Sequence, residues 1–353
     1  MANSVWLAAG LAVIVTAATL LLGRYILGWM KTPEDIIDGS LSYISVIFAG
    51  IPFTILYNLT ATIIRSMGDS KTPVYFLTLS SILNVVLDLF CILVLKLGVA
   101  GAAAATVVSQ GVSGICCLIF MIKKYEILRM TKQEWAPDMR RMKQLMIMGL
   151  PMGLQTSVTA IGSVILQSAV NSLGTIVVAS NTAAGKVACF FCIPIDALGS
   201  TMATFAGQNM GAKKPERIRQ GFKEAVVIGC IYGVVTFAVA STVGKYGALL
   251  FMDGSETAIL DNVQLMLTCH SAFYIPLILL SVVRYVVQGV GYPGIAMFSG
   301  VFELAARALV SFLFVPVFGF LAVCLAEPFA WVLADLFLFP VYFHIMKKMR
   351  KEE

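Results

Sequence analysis

Apolar stretches of about 20 or more residues recur along the whole chain, and short polar clusters separate them. An α-helix needs that length to cross a hydrocarbon core about 30 Å thick. Transmembrane strands would instead alternate apolar and polar positions over short segments. The pattern predicts about ten membrane-spanning helices, near residues 5–28, 38–64, 74–97, 100–122, 144–172, 177–206, 222–246, 257–286, 294–317 and 320–346.

Composition agrees with this pattern, because 59% of the residues are hydrophobic and only 12% are charged. Soluble domains carry about twice that share of charged residues, so lipid is the main solvent of this chain. The formal net charge of +6 does not indicate a nucleic-acid partner, since the basic residues lie in short segments between the predicted spans. The positive-inside rule places basic residues there, and they are interpreted as topology signals.

The segment 123–143 fixes the predicted orientation because it is the most basic part of the chain. Its positive residues are Lys123, Lys124, Arg129, Lys132, Arg140, Arg141 and Lys143. If this segment is cytoplasmic, counting spans also places the basic clusters at 213–219 and 347–351 inside. The sequence therefore predicts a multi-pass protein of the bacterial inner membrane with both termini in the cytoplasm.

An internal repeat relates two parts of the chain. Residues 65–68, followed by Pro73 and an apolar helix, are similar to residues 288–291, followed by Pro293 and another apolar helix. Each of these helices then reaches a turn with a glycine, Gly98 or Gly319.

This repeat predicts two lobes with the same orientation, since an even number of helices separates the matching features. Residues 1–125 form the predicted N-lobe, 126–143 a cytoplasmic linker, and 144–353 the C-lobe. The C-lobe would have six helices and the N-lobe four. We therefore expect a twelve-helix architecture that begins at its third helix.

Several motifs together resemble those of the multidrug and toxic compound extrusion (MATE) transporters over essentially the whole chain. They are residues 64–73 (IRSMGDSKTP), 84–88, 97–106, Gly149-Leu150-Pro151 and 207–212 (GQNMGA). The resemblance implies an all-α polytopic fold with two six-helix lobes around a V-shaped cavity, the first lobe being incomplete here. It also implies export of organic, often cationic compounds in exchange for sodium or protons.

Asp88 is the first candidate for a functional residue, because an ionisable side chain near mid-membrane costs roughly 2.5–3.5 kcal/mol. Asn84 lies one helical turn before it on the same face. Asp88 precedes the Gly98 turn by ten residues and Thr106 follows it by eight, so their depths nearly match at about 1.5 Å per residue. These oxygens suit a small hard cation, and the carboxylate alone suits a proton. The alternative is a buried polar cluster that joins two helices, worth about 0.6 kcal/mol per hydrogen bond.

The resemblance extends to this site. The MATE branch similar to the DNA-damage-inducible protein F binds its cation in the first lobe, on residues matching Asn84, Asp88 and Thr106 plus an aspartate of the first helix. We expect that last ligand to be missing here. A second branch uses second-lobe carboxylates, whereas 155–159 and 274–278 contain no acid in this chain. This difference favours coupling in the first lobe, with H⁺ or Na⁺.

Five further polar residues within predicted spans are candidates for cavity lining or gating: Glu303, Arg307, Lys186, His270 and Gln155. Glu303 and Arg307 are four residues apart on one helix and can pair, either as a lock between helices or as gating residues. Lys186 is predicted to need a carboxylate partner, for which the candidates are Glu303, Glu327 and Asp196. His270 is interpreted as a proton carrier or as a hydrogen-bonded structural residue.

The predicted function is a secondary antiporter that exports amphipathic, cationic organic compounds by alternating access. The alternatives are a flippase for a lipid-linked or polysaccharide precursor and an inactive membrane fragment. No GxxxxGK[ST] loop occurs, which argues against ATP as the energy source. No Ser/His/Asp or zinc-ligand pattern occurs either, so we expect no enzyme and no cofactor beyond the coupling ion. The predicted partners are small organic substrates and the bilayer, and we expect a monomer.

Overall fold

The computed structural model describes residues 1–29, 37–128, 131, 133–251 and 257–351, without the side chains of Trp29, Arg350 and Lys351. Arg129 and Lys132 of the predicted basic segment lie outside the described residues. Within those ranges the chain is built from helices and contains no strand, which confirms the all-α prediction.

Thirteen α-helices are defined in the described ranges. In chain order they are α1 (Ala2–Trp29), α2 (Ile37–Ala49), α3 (Ile51–Ser66), α4 (Lys71–Leu89), α5 (Gly98–Lys124), α6 (Met139–Asn171), α7 (Thr175–Gly211), α8 (Pro215–Ala248), α9 (Thr257–Ala272), α10 (Tyr274–Gly289), α11 (Pro293–Leu309), α12 (Val315–Phe318) and α13 (Phe320–Lys351). Two π-helical turns, Phe90–Val94 and Val310–Phe314, follow α4 and α11, and a short 3₁₀ turn covers Glu126–Leu128.

Nine helical segments of the described chain are long and apolar enough to cross a membrane, with α2 and α3 forming one of them. The pair α9 and α10 makes a tenth if it is counted as one span, although it bends by 50°. Pro276, in the first turn of α10, lacks an N–H for the helix ladder and accounts for the break beside Phe273. About ten spans were predicted, and the structure confirms that number.

The start of α6 differs from the predicted span, because the helix begins at Met139 instead of residue 144. The side chain of Asp138 accepts hydrogen bonds from the backbone N–H of Arg140 at 2.9 Å and of Arg141 at 3.3 Å. Asp138 therefore caps the helix. Hydropathy alone missed this first turn because its residues are basic.

The chain divides into a first unit, Met1–Leu145, and a second unit, Met146–Glu353. In the first unit α2, α3 and α4 pack against α5, whose small residues allow close approach. A Cβ added at Gly114 would lie 3.2 Å from the backbone N of Tyr57 and 3.3 Å from the carbonyl O of Phe53. The backbones of α3 and α5 thus touch at this glycine.

The second unit is centred on α10 and α13. Helix α10 packs against α7, α8 and α13, and α13 packs against α9 and α11. The buried core includes Ile278, Val282, Val286 and Leu338, all at 0% exposure. These apolar contacts hold in place the polar side chains that the same helices carry.

The predicted repeat is visible in the backbone. Helix α3 ends with a backbone hydrogen bond from Asp69 N to Ile64 O, and α10 ends with the same bond from Tyr292 N to Val287 O. Gly68 and Gly291 stand in the left-handed region at these ends, with φ of 91° and 96°. Both repeats therefore turn into α4 and α11 in the same way.

Candidate functional site

The first unit brings Asn84 and Thr106 into contact, whereas the depth count had matched Thr106 with Asp88, one turn further along α4. The Nδ2 of Asn84 on α4 donates to the Oγ1 of Thr106 on α5 at 3.3 Å. Thr106 Oγ1 in turn donates to the carbonyl O of Ala102 at 3.1 Å. The amide oxygen of Asn84 is not used in these bonds and remains available as an acceptor for a cation or a proton donor.

Asp88 lies one turn beyond Asn84 on α4 and is partly buried. Its Oδ1 is buried and has no hydrogen-bond partner among the described residues. An ionised carboxylate only accepts hydrogen bonds, so a buried oxygen without a donor is costly. A bound cation or a proton would satisfy this carboxylate.

A π-helical turn begins at Phe90, two residues after Asp88. Such turns widen the helix locally and are frequent at functional sites. The turn ends before Lys96 and Gly98, which both have positive φ, at 51° and 59°. The chain around Asp88 therefore departs from regular helix on the side that leads into the α4–α5 turn.

The second unit contains a chain of alternating charges. Arg284 on α10 forms an ion pair with Glu303 on α11. Glu303 also accepts from Arg307 at 3.1 Å, and Arg307 binds Glu327 on α13 with two hydrogen bonds of 2.9 and 2.8 Å. Glu303 and Arg307 are each 3% exposed. Two guanidinium groups and two carboxylates thus neutralise one another inside this unit.

Uncharged polar groups extend this network to α6. Gln155, which is 6% exposed, donates to Ser299 at 3.4 Å and accepts from Gln288 at 2.8 Å. Ser299 also accepts from Nε of Arg284 at 3.0 Å. Gln155 therefore lies at the edge of the charged network, and α6, α10 and α11 meet through it.

Two more polar groups of the second unit are buried with an unpaired atom. Asp335 on α13 is 8% exposed, and its Oδ1 has no hydrogen-bond partner in the described chain. His270 is 6% exposed, its Nε2 is unpaired in the described ranges, and its ring meets Trp331 edge-on at 5.8 Å.

Sequence reasoning missed Arg284 and Asp335. Each is a single charge within an apolar run, as in SVVRYVV for Arg284 and VLADLF for Asp335. That isolation is itself a signal, because an ionisable residue in a span is a functional candidate by default.

The expected carboxylate partner of Lys186 is wrong. Lys186 is exposed, and its Nζ lies 5.3 Å from the centre of the Phe251 ring. Of the carboxylates considered for it, Glu303 and Glu327 are paired with arginines. Among the described residues, Lys186 thus makes a cation–π contact and no ion pair.

Asp69, in the turn between α3 and α4, ties that turn to the end of α5. Its Oδ2 accepts from Lys124 Nζ at 2.8 Å, and its Oδ1 accepts from the backbone N–H of Thr72 at 3.0 Å. The pKa of the Asp69 carboxyl is held well below its usual range, mainly by the hydrogen bond from the Lys124 ammonium and then by the bonds from Thr72. The motif at 65–73 therefore has a structural role in this unit.

The fold and the polar groups within its apolar helices define a multi-pass helical membrane protein, the class to which many secondary transporters belong. The MatE family profile matches residues 1–90 and 151–313. The chain belongs to the MatE family.

Curated relatives support this assignment. The chain is 35% identical over 213 residues to the probable multidrug resistance protein YpnP of Bacillus subtilis (strain 168). The aligned region covers 59% of this chain and 46% of that protein. It is 29% identical over 253 residues to the probable multidrug resistance protein YoeA of the same organism, covering 70% of this chain and 55% of that protein. The chain thus spans about half the length of these relatives.

Solved structures show the same fold. One is the outward-facing conformation of a multidrug resistance MATE family transporter of the MOP superfamily, with a TM-score of 0.91 and 22% identity over 98% of this chain and 78% of that one. Another is a MATE protein in the bent conformation, with a TM-score of 0.89 and 21% identity over 99% of this chain and 78% of that one.

Proposed function

We propose that this protein is a secondary antiporter that exports amphipathic, cationic organic compounds in exchange for H⁺ or Na⁺ by alternating access. The coupling ion binds at Asp88, with Asn84 and Thr106 as neighbouring ligands. The relatives that are named as multidrug resistance proteins support this substrate class.

The observation that carries the proposal is the Oδ1 of Asp88, which lacks a hydrogen-bond partner among the described residues and lies one helical turn from the Asn84–Thr106 hydrogen bond. A carboxylate oxygen, an amide oxygen and a hydroxyl on two adjacent helices are the ligand types that a hard monovalent or divalent cation prefers. A proton on Asp88 would serve the same purpose, because it removes the charge that burial disfavours. Either ion lowers the free energy of Asp88 inside the bilayer.

The contrast with the second unit supports this location. Its four hydrogen-bonded charges, on Arg284, Glu303, Arg307 and Glu327, already balance. A neutral, satisfied network has no need of an external ion. In the first unit, no described ion pair involves Asp88, so its carboxylate can take a bound ion without displacing an arginine.

We also propose that both termini face the cytoplasm of a bacterial cell. The basic residues at the ends of α5, α7 and α13 support this orientation under the positive-inside rule. A green fluorescent protein fused after residue 353 should fluoresce, since it folds in the cytoplasm and not after Sec export. A dark but membrane-inserted fusion would contradict this orientation.

The test of coupling uses everted membrane vesicles that contain the protein and a fluorescent cationic dye. Imposing a proton gradient or a sodium gradient separately should drive dye movement with one of them. Asp88→Asn should abolish this movement while membrane insertion is unchanged, and Asp261→Asn, an exposed carboxylate on α9, serves as the matched control. Unchanged dye movement with Asp88→Asn would remove Asp88 from the mechanism, and no movement with either gradient would refute antiport.

A further inference from the structure

A cavity of about 310 Å³ lies between the first turns of α8 and the last turns of α13, within the second unit. Arg219 and Lys223 line it from α8, and Lys347 lines it from α13. All three side chains are exposed, and none forms an ion pair with a described residue. Glu216 is the one acidic residue among the described lining residues, so the cavity is positive overall.

The floor of this cavity is aromatic. Phe222 stacks on Tyr342 with ring centres 4.5 Å apart and an interplanar angle of 27°. Tyr342 is 3% exposed, so the stack is fixed between the helices, whereas Phe343 at the rim is 63% exposed. Three exposed basic side chains and an aromatic stack thus line the same cavity.

The cavity lies where both helices change from apolar to charged sequence. Helix α8 is charged at 216–224 and carries no charged residue from Ala225 to Gly244, whereas α13 carries none from Leu336 to Phe343 and is basic from Lys347. Helix α8 has 34 residues, more than the roughly 20 needed to cross the hydrocarbon core, so its first turns lie at the headgroup level. Aromatic side chains at this height are typical of the membrane interface.

We propose that this cavity binds the phosphate of an anionic phospholipid, with the acyl chains running along the apolar surfaces of α8 and α13. Basic pockets between membrane helices bind such headgroups, and each Lys or Arg near the surface adds about 1 kcal/mol of attraction. The positive end of the α8 dipole, close to Glu216 and Arg219, adds to the attraction for a phosphate. This site is separate from ion coupling and does not depend on the proposed transport function.

The aromatic stack and the position of the cavity at the headgroup level favour a lipid over a free phosphate ion as the ligand. A free anion gains nothing from the Phe222–Tyr342 stack, whereas the glycerol and first methylene groups of a lipid cover it. The cations alone would bind either ligand, so the experiment must compare both.

The experiment follows thermal unfolding of the detergent-purified protein during titration with phosphatidylglycerol, phosphatidylcholine or inorganic phosphate. Phosphatidylglycerol should raise the melting temperature, and the other two should not. The double variant Arg219→Gln/Lys223→Gln should need about 30-fold more phosphatidylglycerol for half of the shift, as two cations at about 1 kcal/mol each imply. The matched control Lys214→Gln/Arg217→Gln removes the same charge near the start of α8 but outside the cavity, and should titrate like the unmodified protein.

Equal titration midpoints for the two double variants would overturn the proposal, because general surface charge would then explain the effect. A full shift with phosphatidylcholine or with inorganic phosphate alone would also overturn it. If the Arg219/Lys223 variant does not fold, native mass spectrometry of Lys347→Gln provides the second measurement. It should retain fewer phosphatidylglycerol molecules than the unmodified protein, and equal retention would count against the site.

Discussion

The two repeats place polar residues at nearly the same point of the same architecture, but with opposite results. In the first unit, α4 carries Asn84 and Asp88, and the carboxylate lacks a described partner. In the second, α11 carries Glu303 and Arg307 at the same four-residue spacing, and both are fully paired. One unit leaves a carboxylate oxygen without a described partner, and the other pairs its carboxylates with its own arginines.

The two pairs are not in the same register. The π-helical turns that end α4 and α11 begin at Phe90 and Val310, which are 220 residues apart. By that offset, Glu303 corresponds to position 83 and not to Asn84. A shift of one residue turns a side chain by about 100° around the helix. The pair on α11 thus points to a different neighbour than the pair on α4, and it finds arginine and glutamate partners there.

The largest expected effect on stability is that of Arg307→Met. The change leaves Glu327 without its described donor and Glu303 with Arg284 alone, and removing one partner of a buried ion pair costs about 3–5 kcal/mol. The free energy of unfolding in mixed micelles measures this loss. Arg141→Met is the matched control, because its pair with Asp138 is exposed and should be worth less than about 1 kcal/mol. Equal losses for both would show that the buried network is not a structural lock.

The Asn84–Thr106 hydrogen bond is either part of an ion-binding site or only a structural link between α4 and α5, and Thr106→Val distinguishes the two. If the contact is a link, Thr106→Val should reduce stability by about 0.6 kcal/mol and leave ion dependence unchanged. We expect instead that the ion concentration for half-maximal efflux rises about tenfold, since about 1.4 kcal/mol of ion binding is lost. Ser81→Ala, on the exposed side of α4, is the control. An unchanged ion dependence would favour the link.

Asp335 is the only other buried carboxylate in the described residues with an unpaired oxygen, and it tests whether the second unit also exchanges an ion. Because the ion pairs of the second unit already balance among four other residues, we expect Asp335→Asn to keep coupled efflux within about twofold. The vesicle assay with both gradients measures this. Loss of coupling as complete as with Asp88→Asn would break the comparison and assign ion exchange to both units.

The smallest expected effect is a change in how the melting temperature falls at acidic pH when Asp69 is replaced. Its folded pKa lies below the unfolded value of about 3.9, so its contribution to stability is present above that pH and is lost as the pH falls toward the folded pKa. Asp69→Asn should therefore show a shallower decline of melting temperature below about pH 4. Asp38→Asn, an exposed carboxylate in the first turn of α2, should keep the normal decline. Identical curves would contradict the role of Asp69.

Hydropathy predicted the spans because membrane insertion is decided by local sequence. A polar contact between α4 and α5 was also predictable, since a short turn aligns two adjacent helices. The depth count matched Thr106 with Asp88, however, and the hydrogen bond comes from Asn84. The partners of Glu303 and Arg307 were not, because Arg284 and Glu327 come from other helices. Lys186 shows the same limit: hydropathy gives its depth but not the direction in which the helix turns its side chain.

The alternating charges of the second unit also set an order for biogenesis. Arg284 is synthesised first and gains Glu303 only when α11 has followed it into the bilayer. Arg307 then enters with Glu303 on the same helix, but its bidentate pair of hydrogen bonds requires the carboxylate of Glu327 on α13. Until α13 arrives, the nascent protein carries more positive than negative charge among these residues. The charges of these four residues therefore balance only once α13 has joined the other helices.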